Sequence, residues 1–135
     1  MSLPRLPVRR RGGLACWSMR RTTLIDPRGV AWSIDVPETW RERIRGLRRI
    51  ADIAPYHGML FQRCRSVHTF GMRFEIEVAF LDAEDRVIVV RRGPPGRLLV
   101  DLRARRVLEC APWSGLRPGD VLRPAPASGE GRAMG

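Results

Sequence analysis

The chain has 135 residues, 44% of them apolar, which is room for one domain with a single core and makes a two-domain reading unnecessary. A net charge of +11 raises nucleic acid or an acidic surface as a partner, but all 25 basic residues are Arg, and seven of them fall in residues 1–28 against Asp26 alone. Cys16, Cys64 and Cys110 form no Cys-x-x-Cys pair and are odd in number, which argues against a disulfide framework and a zinc cluster.

Residues 1–21 read as a basic disordered tail, and Met19 offers an alternative start. Arg9-Arg10-Arg11 and Gly13-Leu14-Ala15-Cys16 have the outline of export signals but lack the apolar stretch between them that such signals need, so a cytoplasmic location is expected. Residues 22–123 read as the single domain. Leu24 to Val36, broken by Asp26-Pro27-Arg28-Gly29, predicts a hairpin with Trp32, Ile34 and Val36 on one side. Thr39-Trp40-Arg41-Glu42 has the form of a capping box, and Trp40, Ile44 and Leu47 share one stripe, so a short amphipathic helix is expected there. Its other side carries Arg41, Arg45, Arg48 and Arg49, either a solvated face or a phosphate-contacting one.

Pro55-Tyr56-His57-Gly58 breaks the chain, with His57 expected on a loop, and Met59-Leu60-Phe61 is a short buried run. Phe74, Ile76, Val78 and Phe80 then recur at the period of a strand with one buried face, the central strand of the fold. Glu75 and Glu77 open its other face. Arg86 to Val90 reads as its hairpin partner, Arg97 to Leu102 and Arg106 to Cys110 as two further strands, and Val121-Leu122 as the last. Residues 124–135 are low-complexity and are expected to be mobile. Many short strands with Pro/Gly turns and one helix predict a mainly β fold, α+β by strict count: a compact antiparallel sheet, barrel-like or sandwiched.

Several of these segments resemble a known family in the same order: Arg45-Gly46-Leu47, Gly58 to Phe61, Cys64 to Phe74, Phe80-Leu81-Asp82, Val107-Leu108-Glu109 and Gly115 to Asp120. They are similar to the bacterial and archaeal family catalogued as domain of unknown function 192, with His68-Thr69-Phe70-Gly71-Met72-Arg73-Phe74 the most specific run. The resemblance implies a compact β-rich domain with one short helix and no established activity. Members usually carry Pro then Ile-Asp after the Arg-Phe, where this chain has Glu75-Ile76-Glu77. They usually place Pro-Ala-Gly after the Leu-Glu strand, where this chain has Cys110-Ala111-Pro112-Trp113-Ser114.

The candidate pocket lies at the start of the central strand, with Cys64, His68, Thr69, Met72, Glu75, Glu77 and Glu109 as its residues. The leading expectation is a binding or accessory module without enzymatic activity, meeting a protein or small-molecule partner there. An alternative is thiol or metal chemistry using Cys64 and His68, with Glu77 or Glu109 completing a ligand set, although no metal or other cofactor is assigned. A second alternative is nucleic-acid binding through the helix arginines and the basic tail. The bland reading of Glu75 and Glu77 is an ion pair with a neighbouring Arg.

Overall fold

A computed structural model describes residues 20–37 and 55–126. The expected helix and its arginines fall outside these residues, as do Cys16 and most of both expected tails. Nine strands run in chain order: β1 (Arg20–Ile25), β2 (Ala31–Val36), β3 (His57–Gln62), β4 (Ser66–His68), β5 (Ile76–Leu81), β6 (Val87–Gly93), β7 (Leu98–Val100), β8 (Arg106–Cys110) and β9 (Arg123–Pro124). β1 therefore begins two residues inside the stretch expected to be tail. Among the described residues no helix is long and apolar enough to cross a membrane.

Seven strands form one sheet in the order β6-β5-β8-β3-β2-β1-β9, and β4 and β7 make a separate two-stranded ribbon. The β1–β2 and β5–β6 hairpins form as the alternating patterns predict. One pairing departs from the expected antiparallel sheet: β2 and β3 run parallel, with Ile34 opposite Gly58. Parallel neighbours cannot be joined by a tight turn, and residues 37–56 separate these two strands in the sequence.

The sheet curls until its edges meet. Val87 N–H donates to Asp120 O at 2.7 Å, Gly119 N–H to Val87 O at 2.8 Å and Leu122 N–H to Asp85 O at 3.0 Å, after which β9 pairs with β1. Residues 119–124 thus join the β6 side to the β1 side.

Curling gives the sheet two cores. Inside it lie Trp32, Ile34, Val36, Leu60, Leu81 and Leu108 with their neighbours. On the outer face, Met59, Phe61, Ile76, Val78, Phe80 and Val107 are covered by the ribbon through Val67 and Leu99. β5 and β8 lie within the sheet and bury both faces, so their alternation is apolar on each side.

Candidate functional site

At the start of β5 the carboxylates face the curled interior and its rim. Glu77 is opposite Arg92 on β6 and Cys110 on β8, and it shares their side of the sheet. Its carboxylate accepts the backbone N–H of Trp113 at 3.1 Å and of Ser114 at 3.2 Å, and the Ser114 hydroxyl donates to it as well. Ser114 Oγ in turn accepts the Leu116 N–H at 3.0 Å.

These bonds fix a loop that would otherwise be costly. Trp113 is held at φ 68°, a left-handed conformation unfavourable for an L residue. Gly115 follows at φ 82°, where any side chain would overlap Arg28. Arg28 is anchored by Asp26 at 2.6 Å and donates to Ser114 O at 3.0 Å. Burial opposes ionisation of Asp26, but donors from Arg28, Trp32 and Val30 outweigh it and hold this carboxyl below its ordinary range.

The held loop projects Trp113 into solvent with 80% of its surface exposed. Arg92 lies over the indole at 4.3 Å from the ring centroid, and its Nε meets Glu75 Oε2 at 2.8 Å. The bland expectation for Glu75, an ion pair with an arginine, is thus met by Arg92.

Glu109 is on the other side of the sheet. It is opposite Met59 on β3 and Val78 on β5, both in the outer core. The seven candidate residues therefore do not line one pocket, because Glu77 and Glu109 are divided by the sheet itself. Among the described residues no donor reaches the Glu109 carboxyl. Burial pushes its pKa up to about 8. Its neighbour Cys110 faces inward, and burial raises that thiol too. Further along the outer face Asp35 accepts from Arg21 Nε at 2.8 Å and lies 3.2 Å from His57 Nε2. His57 is accordingly the first residue of β3, not a loop residue.

The remaining candidates are placed by the ribbon. Thr69 is fully buried; its hydroxyl donates to Pro94 O at 2.5 Å and accepts from Arg97 N–H at 2.8 Å, tying the turn after β4 to the turn before β7. His68 faces outward, stacked on Phe70 with ring centroids 5.1 Å apart, and its Nδ1 accepts the Phe70 N–H at 3.3 Å. Met72 fills the outer core. Cys64 Sγ donates to Ser66 O at 3.0 Å. Among the described residues no group of three or more His, Cys, Asp and Glu is arranged as a metal site.

Residues 23–123 match the family described as uncharacterized ACR, domain of unknown function 192. The chain belongs to that family. No curated protein matches it. Two solved structures share its fold. A candidate transcription regulator from Sinorhizobium meliloti is 22% identical with a TM-score of 0.66, covering 78% of this chain and 93% of its own. A protein of unknown function from Novosphingobium aromaticivorans is 19% identical, also with a TM-score of 0.66, covering 78% of this chain and 84% of its own.

Within this domain of unknown function 192, the segment at Glu75 to Glu77 and the loop at Trp113 and Ser114 touch each other. The acid at Glu77 holds the Trp113-Ser114 backbone, and Arg92 bridges Glu75 to the Trp113 ring. Sequence reasoning reached the two acids and marked the Cys110 to Ser114 segment, but it did not name Trp113 or Arg92 as site residues.

Proposed function

We propose that this domain is a non-enzymatic binding module that meets a protein partner through Trp113 and Arg92 at the start of β5. One observation carries the reading: an indole 80% exposed, on a left-handed backbone, secured by three hydrogen bonds to one carboxylate. Such a residue contributes little to the core, and a strained conformation fixed by its surroundings is a feature of recognition sites. Trp and Arg are the side chains most often found at the energetic centre of protein interfaces. Glu75 favours one position of the guanidinium, which lowers the entropy lost when a partner orders it. The indole is largely exposed rather than enclosed, which suits a protein surface better than a small molecule. Thiol chemistry finds less support, since Cys64 Sγ is turned to Ser66 O and His68 Nδ1 to the Phe70 N–H.

The test is quantitative affinity capture with the full chain, followed by binding of the purified captured protein to the parent, Trp113→Gly and Arg92→Gln. Loss of at least tenfold in affinity for Trp113→Gly, with an unchanged melting temperature, is expected. A partner that binds all three forms equally overturns the assignment of this surface.

A further inference from the structure

At the far end of β8 from Trp113, a cleft of about 610 Å3 opens between the β3–β4 loop, the β5–β6 turn and the start of β8. It is lined by Arg63, Cys64, Arg65, Ala83, Arg105 and Arg106. Its size is that of a small-molecule site. The Gln62–Arg106 pair ends the β3–β8 ladder, and the lining residues 63–65 and 105 lie just beyond it.

The backbone of these walls is fixed. Cys64 N–H donates to Arg105 O at 3.1 Å and Arg105 N–H to Leu81 O at 2.8 Å. Two guanidiniums are also fixed: Arg65 Nε donates to Ala104 O at 3.1 Å, and Arg106 Nη1 donates to Ala83 O at 2.6 Å and meets Asp85 at 3.2 Å. Arg63 and Arg105 have no carboxylate partner among the described residues.

The protein is rich in arginine, so a cluster alone would say little. What distinguishes this one is concavity: Arg97 and Arg117 also lack a carboxylate partner among the described residues but do not line the cleft, whereas Arg21 sits on Asp35, Arg28 on Asp26, Arg92 on Glu75 and Arg103 on Asp101. Four arginines line the cleft, and only Arg106 has a carboxylate partner among the described residues. The nearest other acids belong to the β5–β6 turn, where Asp82 Oδ1 is occupied by the N–H groups of Glu84 and Arg86 and Glu84 is exposed. Like charges gathered in a concavity raise the local concentration of counter-ions, and planar guanidinium forks bind phosphate oxygens in pairs.

We propose that this cleft binds a small, multiply charged phosphate compound of the di- or triphosphate class. Three unmatched positive charges call for more than one negative charge in a compact group, and the limited concavity favours a small molecule over an extended nucleic-acid strand. This site is separate from the Trp113 platform and stands or falls independently of it.

Cys64 supplies a reporter, because it is half-buried at the cleft while Cys110 is only 1% exposed. In a Cys16→Ser background, the rate of Cys64 alkylation by neutral iodoacetamide is measured with inorganic pyrophosphate at constant ionic strength. Pyrophosphate is expected to slow alkylation at least fivefold. Arg63→Gln/Arg105→Gln abolishes this protection, whereas Arg97→Gln/Arg117→Gln, which removes the same charge outside the cleft, retains it. Both double variants change exposed side chains, and their melting temperatures verify folding. Unchanged alkylation with pyrophosphate, equal protection in the two double variants, or protection by a single-stranded oligonucleotide but not by pyrophosphate each overturns the proposal.

Discussion

Glu77 and Glu109 lie one register step apart on the adjacent strands β5 and β8, yet point to opposite faces of the sheet, because Glu77 is opposite Cys110 and Val78 is opposite Glu109. One acid is saturated with donors and holds a loop; the other is buried between Met59 and Val78 without a donor among the described residues. The same residue type therefore has two different consequences for stability.

For Glu77 the consequence is mechanical. Glu77→Ala removes the acceptor for three donors and is expected to destabilise the domain by about 2 kcal/mol, with Glu77→Gln costing less. Urea denaturation of the three forms measures this. A loss as large in Glu77→Gln as in Glu77→Ala would show that the bonds to Trp113 and Ser114 are not the cause.

For Glu109 the consequence is a pH dependence. Its folded pKa of about 8 lies above its ordinary value of 4.5, so the folded state holds a proton that the unfolded state has released. Stability from this group is intact below pH 4.5, falls as pH rises towards about 8 and is level above that. The slope in that window is roughly 1.4 kcal/mol per pH unit. Glu109→Gln is expected to flatten the decline, so that at pH 9 the variant is the more stable form. Parallel declines in the two proteins, read by urea denaturation from pH 5 to 9, would count against it.

Asp101 acts in the opposite direction. Hydrogen bonds from Arg103 hold its carboxyl at about 2, below the ordinary value of 3.8. Its contribution is present above the ordinary value and is lost as pH falls through about 2. Arg103→Gln should move the acid unfolding midpoint to higher pH while leaving the alkaline side unchanged, a difference visible by circular dichroism.

The tie made by Thr69 predicts an asymmetric pair of variants. Thr69→Val leaves Pro94 O and the Arg97 N–H without their partner in a part-buried site and is expected to cost about 1–2 kcal/mol, whereas Thr69→Ser keeps the hydroxyl and costs less than about 1 kcal/mol. Gly93→Ala disturbs the same junction, since a Cβ there would stand 3.2 Å from Thr69 Cγ2 and 3.1 Å from Leu99 Cδ1. Thermal unfolding of all three orders them.

Much of the strand pattern is legible in the sequence. Trp32, Ile34 and Val36 alternate because β2 has one side in the inner core, and Ile76, Val78 and Phe80 because β5 turns that side to the outer core. What alternation cannot tell is which strands become neighbours. The side shared by Glu77 and Cys110, and denied to Glu109, follows from the β5–β8 register, set by packing over long separation in sequence. The parallel β2–β3 pairing is hidden for the same reason. Trp113 stands between Pro112 and Gly115, which marks a turn, but its exposure depends on Glu77, thirty-six residues earlier. Motif residues were legible as a group without their roles being so: Thr69 pins two turns, Met72 packs, and His68 stays at the surface.

The joining of the sheet by residues 119–124 also sets an order of events during synthesis. β1 and β2 can pair soon after they emerge, but the outer edge of β1 has its partner only when Arg123 and Pro124 have been made. At ribosomal rates of ~5–20 residues per second that edge waits roughly 5–20 s. Throughout this interval its free N–H and C=O groups can pair with another nascent chain. β9 ends that exposure when Pro124 and Arg123 pair with Leu24 and Ile25.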